Sequence, residues 1–344
     1  MKNRIKTIAA AVLAVALMFA AVWVHSLDAR PAGPGQIYLY GEYHGTEAHF
    51  EKELELWSSY YHNDGMRDLF IEWPYSMSEC LNLWMRTGDE ELFEMIWSGL
   101  EGYGEYQKAN MDFYRRIRQE CPETVFHGTD VGNRTALVEY LEAIGETDSE
   151  RHRIMEENME QGWHYYENGD NTYRENKLAE NFIRELERVG NVGIMGIYGA
   201  AHTDVNAMEY TKREVPCMAG QLYEQYGERL HTAKLAGLAE PLREESVTLG
   251  NKEYTAQYFG KNYYPWRLGI ECQAYWCIEG VSEEFGEGMM DYHASNQEYP
   301  ITPQKGQIFI VDSAYVSGNT ARDCYRVADL DDEGRPLLER LSIG

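Results

Sequence analysis

Two histidines lie in the same local pattern, Tyr-Gly-x-x-His, and each pattern closes a short apolar segment. The first runs from Tyr40 to His44 and contains Glu42, and the second runs from Tyr198 to His202. Histidine is a base near neutral pH and a common metal ligand. A neighbouring carboxylate orients the imidazole or completes a metal shell. The repeated pattern predicts one functional site to which both histidines contribute.

Two acidic residues follow other apolar segments. Glu72 ends the segment Leu-Phe-Ile-Glu, and Asp130 follows a segment that ends near residue 127. In an open parallel sheet, ligands bind beyond the carboxyl ends of the strands. If these segments are parallel strands, five ionisable side chains meet at one rim: Glu42, His44, Glu72, Asp130 and His202.

Two chemistries fit this set of residues. His44, His202 and Glu72 are suited to hold a divalent metal such as Mn, Co or Zn with an open position for water. Without a metal, His44 activates water directly, and Glu42 or Glu72 tunes its basicity. The structural alternatives stay open as well, since Glu72 also suits a helix cap and Asp130 a turn.

The elements that must position these residues alternate between strand and helix. Strands are expected near residues 36–40, 68–72, 124–127 and 194–199, and helices near 47–61, 135–143, 149–166 and 173–189. The helix at 47–61 carries an apolar face at helical spacing, formed by Phe50, Leu54, Trp57 and Tyr61. Strand, helix and strand in this order imply parallel pairing with right-handed crossovers. We therefore expect an α/β domain, residues 36–240, with a mostly parallel central sheet.

The last hundred residues have a different pattern. Residues 270–276 alternate apolar and polar side chains, as a half-buried strand does, and residues 307–312 form another candidate strand. Residues 241–344 are therefore expected to be a β-rich extension, which either adds strands to the central sheet or caps the site.

The N-terminal residues 1–27 have the layout of a signal peptide or signal anchor. Lys2, Arg4 and Lys6 precede residues 8–24, which carry no charge. No small-x-small cleavage site follows, so we expect an uncleaved single span and a linker at 28–35. The basic residues place the N-terminus in the cytoplasm and the main domain outside the cell membrane. If the segment is cleaved, the protein is secreted.

Composition limits the range of partners. The 344 residues carry a formal charge of −26, which excludes non-specific binding to nucleic acid or anionic lipid. The expected partner is a small-molecule or peptide substrate. Outside the cytoplasm cysteines can pair. Buried thiols and disulfides remain equal alternatives for the six cysteines, which are Cys80, Cys121, Cys217, Cys272, Cys277 and Cys324.

Three segments together resemble a known superfamily, which joins the ChaN-like haem-uptake proteins, the TraB/Tiki proteins and the erythromycin esterases. Gly-Glu-Tyr-His at 41–44, with His49, is similar to the ChaN-like opening, and residues 69–72 are similar to the next strand, which ends in a functional Glu. Residues 174–179, followed by Gly-Ala-Ala-His at 199–202, are similar to the family's helix and second histidine strand. Leu178 and Thr203 depart from the usual residues. The resemblance spans residues 36–207.

The branches of this superfamily differ in chemistry. Tiki-like proteins are membrane-anchored metal-dependent peptidases, the esterases use His and Glu to activate water without a metal, and ChaN-like proteins bind haem. The resemblance implies that Arg174, Glu175 and Asp130 bind ligand, whereas a surface ion pair is the alternative for Arg174. If haem binds, Tyr43 is a candidate axial ligand.

The expected function is therefore a membrane-anchored, extracytoplasmic hydrolase of esters or amides. His44, His202, Glu42 and Glu72 are the expected catalytic residues. The alternatives are a protein that binds haem or another small ligand without turnover, and a scaffold with an idle site.

Overall fold

The computed structural model of the protein describes residues 35–98, 104–263, 269–332 and 334–342. The expected N-terminal anchor, with its apolar residues 8–24, lies outside the described residues. Within those ranges no helix has both the length and the apolar character that a membrane crossing requires.

A five-stranded parallel sheet forms the centre of the first part of the chain, with strand order β3-β2-β4-β1-β5. The expected α/β class is confirmed. The order inserts β4 between β1 and β2, so the two strands that end in Tyr-Gly lie side by side. The strands are β1 (Ile37–Glu42), β2 (Asp68–Pro74), β3 (Val125–Asp130), β4 (Ile194–Gly199) and β5 (Leu230–Lys234).

Helices cover both faces of this sheet, because successive side chains of a strand point to opposite faces. Tyr38 and Ile71 pack on one face in a large core with α1 to α6, whereas Leu39 and Phe70 pack on the other with α7 and α8. The helices are α1 (Glu47–Asn63), α2 (Tyr75–Thr87), α3 (Glu90–Trp97), α4 (Gly104–Glu120), α5 (Thr135–Ala143), α6 (Ser149–Asn168), α7 (Asn171–Val189) and α8 (Met218–Tyr226).

The C-terminal residues form a separate antiparallel sheet of seven strands, ordered β6-β7-β8-β10-β11-β12-β9. The expected β-rich character is confirmed, but the option that these strands extend the parallel sheet is wrong. A short helix, α9 (Tyr292–Ser295), follows β9. The strands are β6 (Arg243–Leu249), β7 (Lys252–Tyr263), β8 (Ile270–Ile278), β9 (Met289–Met290), β10 (Ile308–Tyr315), β11 (Thr320–Leu330) and β12 (Pro336–Arg340).

Two boundaries of the parallel sheet differ from the expected ones at the rim. β1 continues to Glu42, and β2 continues through Trp73 to Pro74. Pro74 has no backbone N–H, and it lies at the carboxyl end of β2 just after an irregularity in the pairing with β3. Glu72 therefore lies inside β2, two residues before the carboxyl end of the strand.

The cysteines are buried. Cys80, Cys121, Cys217, Cys277 and Cys324 are free thiols. The disulfide alternative is therefore not realised among these five residues.

Candidate functional site

A cavity of about 450 Å³ opens beyond the carboxyl ends of the parallel strands. Residues at or just beyond the carboxyl ends of β1, β2 and β3 contribute to its wall, together with residues of α1, α4 and α7. Aromatic rings such as Phe50, Trp73 and Tyr106 form the apolar part of the wall. The ionisable part includes Glu42, His44, Glu53, Glu72, Asp130 and Arg174.

The two Tyr-Gly-x-x-His segments pack directly against each other, because β1 and β4 are neighbours and Glu42 lies opposite Gly199. A Cβ atom on Gly41 would lie 2.3 Å from Thr203 Oγ1. A Cβ atom on Gly199 would lie 3.1 Å from His44 Nε2 and 3.2 Å from Glu72 Oε2. The glycine of each segment therefore leaves room for a side chain that belongs to the other half of the site.

His44 lies at the cavity surface with one ring nitrogen held. Its Nδ1 is 2.9 Å from Oε1 of Glu42, and its Nε2 is 3.9 Å from Oε2 of Glu72. Burial lowers the pKa of His44, but the Glu42 carboxylate, helped by Glu72, outweighs burial and raises the pKa to about 9. The His44 side chain is 35% exposed and forms part of the cavity wall.

Glu72 is fixed in place from two sides. One carboxylate oxygen accepts the backbone N–H of Gly199 at 2.5 Å, and the other accepts Nη2 of Arg174 at 2.6 Å. Burial acts to raise the pKa of Glu72, but His202, Arg174 and His44 together hold it well below its usual range. Glu72 is therefore ionised when no ligand is bound.

Arg174 of α7 links two strand ends. Its Nε donates to Oδ1 of Asp130 at 2.9 Å, and its Nη2 donates to Oδ2 at 2.6 Å, in a bidentate pair, while Nη2 also reaches Glu72. Burial opposes the charge, but Asp130 and Glu72 raise the pKa of Arg174 well above its usual range. Only 15% of the side chain is exposed, so the alternative of a surface ion pair is wrong.

His202 lies behind this layer and does not line the cavity. Its Nδ1 is 2.5 Å from Oε1 of Glu175, and its Nε2 is 3.3 Å from Oε1 of Glu72. Burial lowers its pKa, but Glu72 and Glu175 raise it to about 10. Glu175 also accepts the backbone N–H of Met218 at 2.8 Å and is itself away from the cavity. The structure thus places Glu175, expected to bind ligand, against His202.

Tyr43 also lies outside the cavity wall. Its ring packs against the ring of His49 with centroids 5.5 Å apart, and its backbone N–H donates to Nδ1 of His49. Nε2 of His49 faces the carbonyl oxygen of Pro300 at 3.0 Å. Burial lowers the pKa of His49 to about 4, so the ring is neutral. Tyr43 is therefore not placed to ligate a haem iron in this cavity.

The expected metal ligands do not fit a metal ion. Among the described residues, no group of three His, Cys, Asp or Glu side chains is arranged to hold one. The Arg174 guanidinium already pairs with Glu72, one of the expected ligands, as well as with Asp130. His202 in turn has Nδ1 on Glu175 and Nε2 3.4 Å from Nη1 of Arg174. The positive charge that balances these carboxylates is a protein side chain.

Glu53 is a cavity residue that the sequence analysis did not identify. It belongs to α1, is 1% exposed, and lines the wall beside Glu42. It stands between Phe50 and Leu54 of the apolar helix face. A charged residue on an otherwise apolar face was the signal that could have found it.

No protein-family model matches the chain, and no curated protein matches it. Three solved structures are similar to it. An erythromycin esterase mutant, EreC, in its open conformation has 11% identity and a TM-score of 0.46, over 65% of this chain and 76% of that chain. A succinoglycan biosynthesis protein has 13% identity and a TM-score of 0.41, over 64% and 70%. A Bacillus cereus protein has 12% identity and a TM-score of 0.41, over 91% and 86%.

Proposed function

We propose that the protein is a hydrolase in which His44 activates a water molecule for attack on an ester or amide carbonyl. The observation that carries this proposal is the setting of His44. Glu42 holds Nδ1, and Nε2 lies at the cavity surface. An imidazole that lines a cavity and has one nitrogen held by a carboxylate is the arrangement of a general base.

The proposed reaction uses the neutral form of His44. Nε2 accepts a proton from water while the water oxygen bonds to the carbonyl carbon, and the resulting imidazolium donates that proton to the leaving group. Glu42 and Glu72 stabilise the imidazolium, because both carboxylates face it. The same two carboxylates raise the pKa of His44 to about 9, so His44 is protonated in most of the molecules at neutral pH.

The other ionisable residues have supporting roles in this proposal. Arg174 and His202 hold the Glu72 carboxylate between them, and Glu175 holds His202. Asp130 completes the bidentate pair with Arg174. We assign these four residues to positioning and to charge balance, and we propose no step through a metal ion.

The substrate is proposed to be a small molecule or a short peptide segment with an apolar group beside the scissile carbonyl. A cavity of about 450 Å³ with Phe50, Trp73, Tyr106, Phe113 and Tyr114 in its wall suits such a group. We also propose that residues 8–24 anchor the protein in the cell membrane with the cavity outside the cytoplasm.

The test is a set of chromogenic substrates: 4-nitrophenyl acetate, 4-nitrophenyl butyrate and a peptide 4-nitroanilide. His44→Ala is expected to lower kcat/KM by about 10²- to 10⁴-fold, the usual contribution of a general base. His152→Ala is the matched control, because His152 is 44% exposed on α6 and pairs with Glu142. Equal activity of wild type and His44→Ala on every hydrolysed substrate would refute the proposal.

A further inference from the structure

Two buried carboxyl groups meet at the inner end of the cavity. Glu53 of α1 lies within hydrogen-bonding reach of Glu42 at the end of β1. Oε1 of Glu53 and Oε2 of Glu42 are both buried and have no hydrogen-bond partner among the described residues. The other oxygen of Glu42 is engaged by Nδ1 of His44. Each carboxyl group therefore has one buried oxygen atom that no donor among the described residues reaches.

Among the described residues that face this pair, none supplies a positive charge to Glu53. Across the cavity, α4 contributes Tyr106 and Tyr114, which are neutral because burial, reinforced by Glu42, raises the pKa of each well above its usual range. Lys52, next to Glu53 in sequence, pairs instead with Glu55 on the outer side of α1. His44 faces Glu42 rather than Glu53.

Two neighbouring carboxyl groups in a buried site cannot both ionise at moderate cost, so one of them keeps a proton. The negative charge is more favourable on Glu42, because Glu42 faces His44. Burial raises the pKa of Glu53 well above its usual range, and the Glu42 carboxylate raises it further. The ion pair of Glu42 with His44 and the burial of Glu53 therefore both favour Glu53 as the protonated partner.

We propose that Glu53 is a positioning residue that stays protonated and donates a hydrogen bond to Oε2 of Glu42, which leaves Oε1 of Glu42 as the acceptor for Nδ1 of His44. The carboxylate of Glu42 is then held at both oxygens, and its plane fixes the imidazole ring. The part of this proposal that concerns turnover rests on the proposed hydrolase function. The proton shared by Glu53 and Glu42 does not depend on that function.

Infrared difference spectroscopy of the full-length protein tests the proton without any substrate. At pH 7, wild type is expected to show the C=O stretch of a protonated carboxylic acid, and Glu53→Gln is expected to lack it. Glu55→Gln is the matched control, since Glu55 lies on the same helix and is 65% exposed, and it should leave the band unchanged. Absence of the band in wild type, or its persistence in Glu53→Gln, overturns the proposal.

Kinetics test the positioning role with two substitutions. Glu53→Gln keeps a donor for Glu42 and is expected to retain kcat within about threefold, whereas Glu53→Leu removes the donor and lowers kcat by about tenfold or more, with little change in KM. Equal losses in the two folded variants contradict the role. If the infrared band behaves as expected but no ester or amide is hydrolysed, the hydrolase proposal fails and the shared proton stands.

Discussion

His44 and His202 occupy matching places after two adjacent strands, yet their surroundings give them different roles. His44 lines the cavity and is 35% exposed. His202 is 5% exposed and is engaged at both nitrogens by Glu175 and Glu72. The repeated sequence pattern therefore places one histidine in the cavity wall and the other behind it, and only the first is proposed to react.

Gly199 offers a direct test of how closely these groups are packed. A methyl group on Gly199→Ala would press on His44 Nε2 and Glu72 Oε2, at 3.1 and 3.2 Å. We expect kcat/KM to fall by about 10²-fold, since small displacements of reacting groups have effects of that size. Thermal unfolding should change little. Gly286→Ala is the control, because a Cβ atom there meets nothing within 4 Å. Unchanged kinetics in Gly199→Ala would show that the close packing is irrelevant.

His202 is expected to matter for stability. Removing one partner of a buried ion pair leaves the other charge uncompensated, and His202→Ala should lower the free energy of unfolding by about 3–5 kcal/mol. Denaturant unfolding at pH 6 measures this loss, with His152→Ala as the exposed control. A loss below about 1 kcal/mol would mean that the buried imidazolium contributes little.

At the residue scale, the sequence predicted most of the side chains at the strand ends, but not which of them line the cavity. Glu42, His44, Glu72, Asp130 and His202 lie at or just beyond the carboxyl ends of strands, and strand ends are set by local pattern, so their convergence could be predicted. Which of them face the cavity depends on side-chain contacts across helices far apart in sequence. That is why the roles of Glu175 and Tyr43, and the presence of Glu53, were not predicted.

At the scale of elements, the C-terminal sheet holds the turn that carries His44. Asn262 of β7 donates to Oγ1 of Thr46, and the backbone N–H of Tyr263 donates to the carbonyl of Gly45 at 3.0 Å. Glu47 accepts from the N–H of Lys261 and the hydroxyl of Tyr263. Residues 241–344 thus contact the three residues that follow His44, in addition to the contact of Pro300 with His49.

This contact predicts that a change in the second sheet alters catalysis. Asn262→Ala removes the hydrogen bond to Thr46, which should lower stability by about 1 kcal/mol and kcat by about tenfold. Thr255→Ala is the control, because Thr255 is exposed on the same strand. Steady-state kinetics and thermal unfolding measure both effects. A stability loss without a change in kcat would limit the sheet to a structural role.

The four helices and four parallel strands that were predicted individually agree with the structure to within a few residues because their apolar periodicity is strong. The observed ends of the helices differ from the predicted ends where a capping side chain fixes the first turn. For example, α7 begins at Asn171 because the Asp170 side chain caps it by accepting the N–H of Tyr173. Most strands of the C-terminal sheet were not predicted individually, since β6, β7, β11 and β12 carry many polar side chains and pair with partners that sequence alone does not specify.

At the scale of the whole molecule, the buried ionic layer predicts a pH range of greatest stability. The pKa of His202 is raised from 6.5 to about 10, so its stabilisation is complete below pH 6.5 and is lost as the pH rises through about 10. The pKa of Glu72 is lowered from 4.5, so its stabilisation is present above pH 4.5 and is lost on acidification.

Thermal unfolding between pH 5 and 10 measures this dependence. Wild type should lose more Tm between pH 6.5 and 10 than His202→Asn, because the variant lacks the group that titrates. Parallel curves would contradict the assignment of a raised pKa to His202.

The proposed anchor predicts a membrane-bound full-length protein. Cell fractionation should find it in the membrane, resistant to carbonate extraction and accessible to protease from outside. Leu17→Arg places a charge in the middle of residues 8–24, at a cost of about 2.5–3.5 kcal/mol for insertion, and should shift the protein to the soluble fraction. Recovery of the wild-type protein in the soluble cytoplasmic fraction would refute the anchor.

The measurement that tests the central proposal most directly is the pH dependence of kcat/KM for wild type and Glu42→Gln. Since the neutral form of His44 is the proposed base, wild-type activity should rise with pH and level off above about 9. Glu42→Gln removes the carboxylate that raises this pKa, so the rising limb should move towards lower pH while the plateau falls. A limb at the same pH in both proteins would contradict the role of His44 as a base tuned by Glu42.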